Sequence, residues 1–133
     1  MIVGIADTHT VLWHLSSDSR LSATARAFIE NAAQNGDPIG VSAITLVETV
    51  YLVEKGRISA SRFTELSRVL EQFEQVFREI PVNLGIVRAL SRVDAVKVPD
   101  MPDRIIAATA VYFRVPIISK DSKIQLSGLK TIW

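Results

Sequence analysis

Residues 2–13 read IVGIADTHTVLW, and the break within this stretch decides the fold. An apolar run from Ile2 to Ala6 meets Asp7 abruptly, as a buried strand does where it leaves a sheet. Thr8 to Leu15, with Val11, Leu12, Trp13 and Leu15, then reads as a short helix. Leu21, Ala25, Phe28, Ile29 and Ala32 recur at helical spacing, with Ser22 as N-cap and Gly36 as stop. The turn signal Asp37-Pro38 opens a second strand, Ile39 to Ala43. A helix from Ile44 to Glu54 carries an apolar stripe of Ile44, Val47, Tyr51 and Leu52, and Gly56 closes it. Another helix, from about Ser59 to Gln75, places Phe63, Leu66, Leu70 and Phe73 on one side.

Phe77 to Val82 is a third strand, and Leu84 to Val93 a further helix. Lys97 to Pro102 is a loop, DRIIAATAVYFR from Asp103 is helical, Pro116 to Ser119 is a fourth strand and Leu129 to Trp133 a fifth. This alternation predicts an α/β fold in one domain over residues 1–133, with a central, mostly parallel sheet of about five strands flanked by helices.

Composition narrows the function classes. The chain has 133 residues, 48% hydrophobic and 22% charged, which argues against disorder and leaves room for an interface beyond the core. Cys is absent, which removes disulfides, zinc-thiolate sites and thiol nucleophiles. Lys and Arg total 15 against 14 Asp and Glu, which excludes a generally basic nucleic-acid coat but allows a local basic patch. No apolar run approaches the roughly 18 residues of a membrane span. The N-terminus has no basic leader and reaches an acid at Asp7, so a cytoplasmic protein without a signal peptide is expected.

Ligands of open α/β sheets sit at the carboxyl ends of the strands, and four acids can reach that edge. Asp7 follows the first strand, Asp121 closely follows the fourth, and Asp103 opens the helix leading into the fourth. Glu48 lies one turn from Ile44 and from Tyr51 and Leu52, along the apolar side of its helix. A lone buried carboxylate costs several kcal/mol unless paired, and an Arg from a neighbouring helix is the simple partner. Asp103 reads equally as a helix cap or first-turn acid worth about 1 kcal/mol, Asp7 as a cap, and Asp121-Ser122 as a turn. Together the four are more informative. Two carboxylates about 4 Å apart repel by about 4 kcal/mol at an effective dielectric near 20, so a cluster calls for cations. All-oxygen ligands select Mg²⁺ or Mn²⁺ over zinc, and such ions activate water against phosphodiesters without a nucleophilic side chain.

The order of these acids resembles the PIN-domain nucleases of the VapC toxin type. The resemblance rests on Asp7-Thr8-His9 with Val11-Leu12-Trp13 and Leu21-Ser22, then on VSAITLVE (Val41 to Glu48), PDRIIAATA (Pro102 to Ala110) and PIISKD (Pro116 to Asp121). It spans essentially the whole chain. It implies a PIN-like fold and a Mg²⁺- or Mn²⁺-dependent endoribonuclease, the toxin of a toxin–antitoxin pair, as a homodimer blocked by a VapB-type antitoxin. It also implies Asp7, Asp103 and Asp121 as direct metal ligands, with Glu48 acting partly through water. Thr8 and Ser119 match small hydroxyl positions that steady the carboxylates, and Asp100 matches an outer-shell acid. Many relatives carry His-Arg before that acid, where this chain has Val98-Pro99.

Arg104, Lys120 and Lys123, beside the acids in sequence, are candidates to hold RNA phosphates. His9 and His14 are five residues apart and share no helix face as a zinc pair would. Trp13 and Trp133 read as core or interface residues rather than base-stacking platforms, and the apolar stretch from Ile44 to Phe77 as a groove for a partner helix, with core as its alternative. Two other α/β classes fit less well. A haloacid-dehalogenase phosphatase needs a second Asp where His9 stands. A receiver needs an acid pair after the first strand, where residue 8 is Thr, and an Asp at the third, which ends Val82-Asn83. A PIN domain retained only as a binding module would not need all four acids.

Overall fold

A computed structural model describes all 133 residues. Five short strands, β1 (Gly4–Ala6), β2 (Ile39–Ser42), β3 (Phe77–Ile80), β4 (Ile117–Ile118) and β5 (Thr131–Ile132), form one sheet in the order β3-β2-β1-β4-β5. Every pairing is parallel. The helices are α1 (Thr8–Leu15), α2 (Ala23–Asn35), α3 (Ala43–Glu54), α4 (Ala60–Leu70), α5 (Leu84–Ala89), α6 (Met101–Phe113) and α7 (Ser122–Gln125), with a 3₁₀ turn at Leu90–Arg92.

Side-chain alternation along the strands divides the core in two. Ile5, Ile80 and Ile117 face one layer, packed on Ile86 of α5, Ile106 and Ala110 of α6 and Ile124 of α7. Ala6, Ile39, Val41, Phe77 and Ile118 face the other, against Val11 and Leu12 of α1, Ile29 of α2 and Leu66 of α4. Burying each of the larger side chains contributes about 1.5–3 kcal/mol. Both faces of the sheet are covered, as a parallel sheet requires.

Several local boundaries differ from the sequence expectation, each for a physical reason. The third strand stops at Ile80 because Pro81 has no N–H for the ladder. The helix expected from Ser59 to Gln75 ends at Leu70, where the Gln72 N–H turns onto the Val69 carbonyl at 3.2 Å. Phe73 is therefore 88% exposed and does not join Leu66. α6 begins at Met101, not Asp103: Asp100 is its N-cap, and Pro102 occupies the first turn, where its missing N–H costs nothing. Asp121-Ser122, expected as a simple turn, instead opens the four-residue α7. In α3 the buried residues are Thr45 and Thr49, while Val47 and Tyr51 of the expected stripe are exposed. This helix is apolar on nearly every side, so periodicity did not select its inner face.

Gly40 marks the tightest point of the sheet. A Cβ there would lie 2.7 Å from Ile5 Cδ1 and 2.9 Å from Ile80 Cγ1, the side chains that close over β2. Gly40→Ala is expected to destabilise the domain by about 1–3 kcal/mol, read as a lower urea midpoint with an unchanged slope. An unchanged midpoint would show that the two isoleucines repack freely.

Candidate active site

β1 is the middle strand, and the chain winds outward from it to β2 and β3 before crossing back to β4 and β5. The crevice at its carboxyl end is the switch point of the sheet, where open α/β folds bind ligands. Asp7, the first residue past β1, stands there 7% exposed. Its N–H donates to the Ile118 carbonyl at 3.2 Å. Its Oδ1 accepts the Thr10 N–H at 2.9 Å, capping α1, and its Oδ2 accepts the hydroxyl of Ser119, which is buried just beyond β4. Ser119 Oγ also accepts the Asp121 N–H at 3.0 Å, so one hydroxyl links the ends of β1 and β4.

Three of the acids are helix caps. Besides Asp7, Asp100 Oδ1 accepts the Asp103 N–H at 3.1 Å, and Asp121 Oδ1 accepts the N–H groups of Lys123 and Ile124 at 2.8 and 3.2 Å. The partial positive charge of a helix N-terminus favours a carboxylate at each. Asp103 stands in the first turn of α6. Glu48, from the middle of α3, takes no arginine partner; it accepts the Thr8 hydroxyl, whose oxygen lies 3.1 Å from Thr45 Oγ1.

These elements enclose a pocket of about 620 Å³. Asp7, Glu48, Asp100, Asp103 and Asp121 all line it, with Thr8, Lys120 and Lys123. Ser119 lies beneath it, bound to Asp7. Arg104 does not reach the pocket: its Nη2 donates to the carbonyls of Leu90 at 2.9 Å and Val93 at 3.2 Å, tying α6 to the 3₁₀ turn. The expected phosphate contact therefore does not hold for this residue, because the first turn of α6 points Asp103 and Arg104 to different sides. His9, Trp13 and Ser122 also line the pocket and were not picked out as site residues. His9 and Trp13 are four apart on a helix that begins at Asp7, a spacing that puts both on one face.

Five acids share this space with few counter-charges. Neither lysine is within ion-pair distance of any of them, and the one salt bridge of the molecule, Arg20–Asp18, lies elsewhere. Burial, and then the charges of Asp100, Asp121, Glu48 and Asp7, push the Asp103 carboxyl up to about 7. Burial likewise raises Glu48, against the opposing hydrogen bond from Thr8. An all-oxygen set of mutually repelling carboxylates fits a hard divalent cation. The side chains as they stand do not bring three such groups around one point.

The sign of the electrostatic strain is testable without activity. In the unfolded chain Asp103 ionises near its ordinary value of 3.8, whereas in the folded protein it stays protonated to about 7. The folded state thus holds the extra proton between these values, and stability falls as pH rises from about 4 to about 7. Metal-free Asp103→Asn is expected to melt close to wild type at pH 4 and above it at pH 8. Identical melting at both would show that the carboxyl is not under strain.

The same architecture occurs in solved structures. Those superposing on the chain include VapBC2 from Rickettsia felis bound to a DNA fragment from their promoter (TM-score 0.71, 15% identity, covering 98% of this chain and 97% of that one). DNA-bound VapBC from Salmonella typhimurium gives a TM-score of 0.68 at 17% identity, covering 98% and 97%. A toxin–antitoxin complex from Klebsiella pneumoniae gives 0.66 at 21%, covering 98% and 96%. At such identities the likeness is one of fold. No curated protein matches the sequence significantly. The sequence model of the PIN domain, however, matches residues 5–127, which include all five pocket acids, and the chain belongs to the PIN domain family.

Proposed function

We propose that residues 1–133 act as one Mg²⁺-dependent endoribonuclease domain, with Mn²⁺ as a substitute, and that the protein is the toxin of a VapBC-type pair. The observation that carries this reading is the convergence of five carboxylates, three of them anchored as helix caps, on the switch point of a PIN fold. Asp7, Asp103 and Asp121 would hold the cation directly and Glu48 partly through water, with Asp100 as an outer group. The cation, when bound, lowers the pKa of water and neutralises charge on a phosphodiester under in-line attack.

The residues of the chain have defined tasks in this scheme. Ser119 and the Thr10 N–H hold the Asp7 carboxylate in one orientation, and Thr8 does the same for Glu48. Asp103 would have to give up its proton to serve as a ligand, so metal affinity should rise with pH up to about 7. Lys120 and Lys123, free of ion pairs at the rim, attract RNA phosphates.

The partner reading has separate support. Structures superposing on this chain include two VapBC complexes and a toxin–antitoxin complex. Val47, Val50 and Tyr51 are 48%, 38% and 58% exposed along the outer side of α3, an apolar face that a second copy or an antitoxin helix would cover. No helix of the structure is long and apolar enough to cross a membrane.

Two measurements test these proposals. Protein purified free of antitoxin should cut RNA with Mg²⁺ or Mn²⁺ and not with EDTA. Asp7→Asn and Asp103→Asn should each lose at least about 100-fold, the upper end of the cost for groups that merely orient metal ligands. Cutting that survives both changes would overturn the metal-site assignment. Light scattering of the isolated chain should give twice 14.7 kDa, and a monomer at micromolar concentration would remove the homodimer.

A further inference from the structure

One wall of the acid pocket is aromatic. Trp13 is the only apolar side chain in the lining. It is half-buried: part of it packs against the core layer of α1 and α2 and, at a centroid distance of 5.9 Å, against Trp133. His9, exposed and one helical turn back, tilts against it at 5.4 Å. The Arg20 guanidinium lies over the indole at 4.9 Å and is fixed there by two side-chain contacts to Asp18, at 3.0 and 2.8 Å. The Lys120 ammonium is a looser neighbour, 5.9 Å from the ring and without an ion pair. A cation at that distance is at the outer limit of attraction to an indole and is readily displaced.

A core tryptophan would need none of this. An indole that packs partly against the core and lines a pocket, with an ammonium free of ion pairs over its ring, matches the platforms that bind single-stranded nucleic acid. There a base stacks on the ring while a cation takes the adjoining phosphate. We infer that Trp13, with His9, is a nucleobase-stacking platform that seats one nucleotide flanking the scissile phosphate, with Lys120 holding that nucleotide's phosphate. The inference rests on the nuclease reading and deepens it: the substrate is unpaired RNA, and a base inside a duplex cannot reach the ring. Stacking is tolerant of base identity, so the platform fixes position along the strand without reading its sequence.

The first test leaves the protein unaltered. Wild type is given single-stranded RNA oligonucleotides in which each nucleotide around the cut is made abasic in turn. Removing one particular base should raise KM by about 5- to 100-fold, the range of alanine substitutions at stacking aromatics, and the other positions should matter far less. Trp13→Ala should cut intact and abasic RNA alike, while Trp13→Phe should keep most of the difference. A uniform response along the oligonucleotide, or a positional effect that persists in Trp13→Ala, would overturn the platform while leaving the nuclease intact.

The second test needs no turnover. The chain has two tryptophans, so in Asp103→Asn/Trp133→Phe protein only Trp13 fluoresces. Intact RNA should quench it, and RNA lacking the seated base should not. Binding seen by anisotropy without quenching would refute stacking. Quenching by RNA that the wild-type protein cuts with neither Mg²⁺ nor Mn²⁺ would keep the platform and remove the nuclease.

Discussion

The Asp7 carboxylate is the point through which most of the site is assembled. One of its oxygens closes the first turn of α1, and the other is held by Ser119 from the end of a neighbouring strand. Ser119 in turn receives the N–H of Asp121, which starts α7. Two strand ends and two helix starts are thereby locked around one charge. The sheet makes this possible because β1 is central and parallel to both neighbours, so its carboxyl end opens where β2 and β4 diverge toward different helices.

The chain meets the electrostatic demand of the pocket without internal salt bridges. Arginine partners would neutralise the acids and fill the space a cation needs. Hydroxyls from Thr8 and Ser119, and N–H groups at helix starts, orient carboxylates while leaving their net charge intact. Asp103 and Glu48, the two acids that cap nothing, have a raised proton affinity, first through burial and then through the neighbouring carboxylates. Perturbed proton affinity of this kind is common where a fold gathers titratable groups for chemistry.

Most of the architecture was legible because it rests on local signals. Apolar runs ending at Asp7 and Ser119, caps at Ser22 and Gly36, and strand–helix alternation all act within a few residues. Asp7 and Asp121 could be singled out because strand ends in a parallel sheet converge by topology, Asp103 because its helix leads into β4, and Glu48 because a carboxylate on the apolar side of a helix calls for a partner. What escaped depended on tertiary contacts. The inner face of α3 is formed by Thr45 and Thr49, which are acceptable inside only because Thr8 and a backbone carbonyl supply their hydrogen bonds. Arg104 was drawn inward by the carbonyls of Leu90 and Val93 at the 3₁₀ turn, which nothing in its neighbourhood along the chain announces. Asp100 took the capping role expected of Asp103 because Pro102 suits the first turn of a helix better than a loop before it.

The division between capping and non-capping acids bears on how such a chain would drift if its activity ceased to matter. Asp7, Asp100 and Asp121 each secure a helix start, so stability alone would preserve them or admit only Asn, Ser or Thr. Asp103 and Glu48 secure nothing of the kind and burden the empty fold. Mutations at these two would be accepted first, and would even be favoured. In a lineage of PIN folds, therefore, Asp103 and Glu48 are the positions where selection for stability and selection for chemistry would pull in opposite directions, whereas at Asp7 both favour a capping side chain.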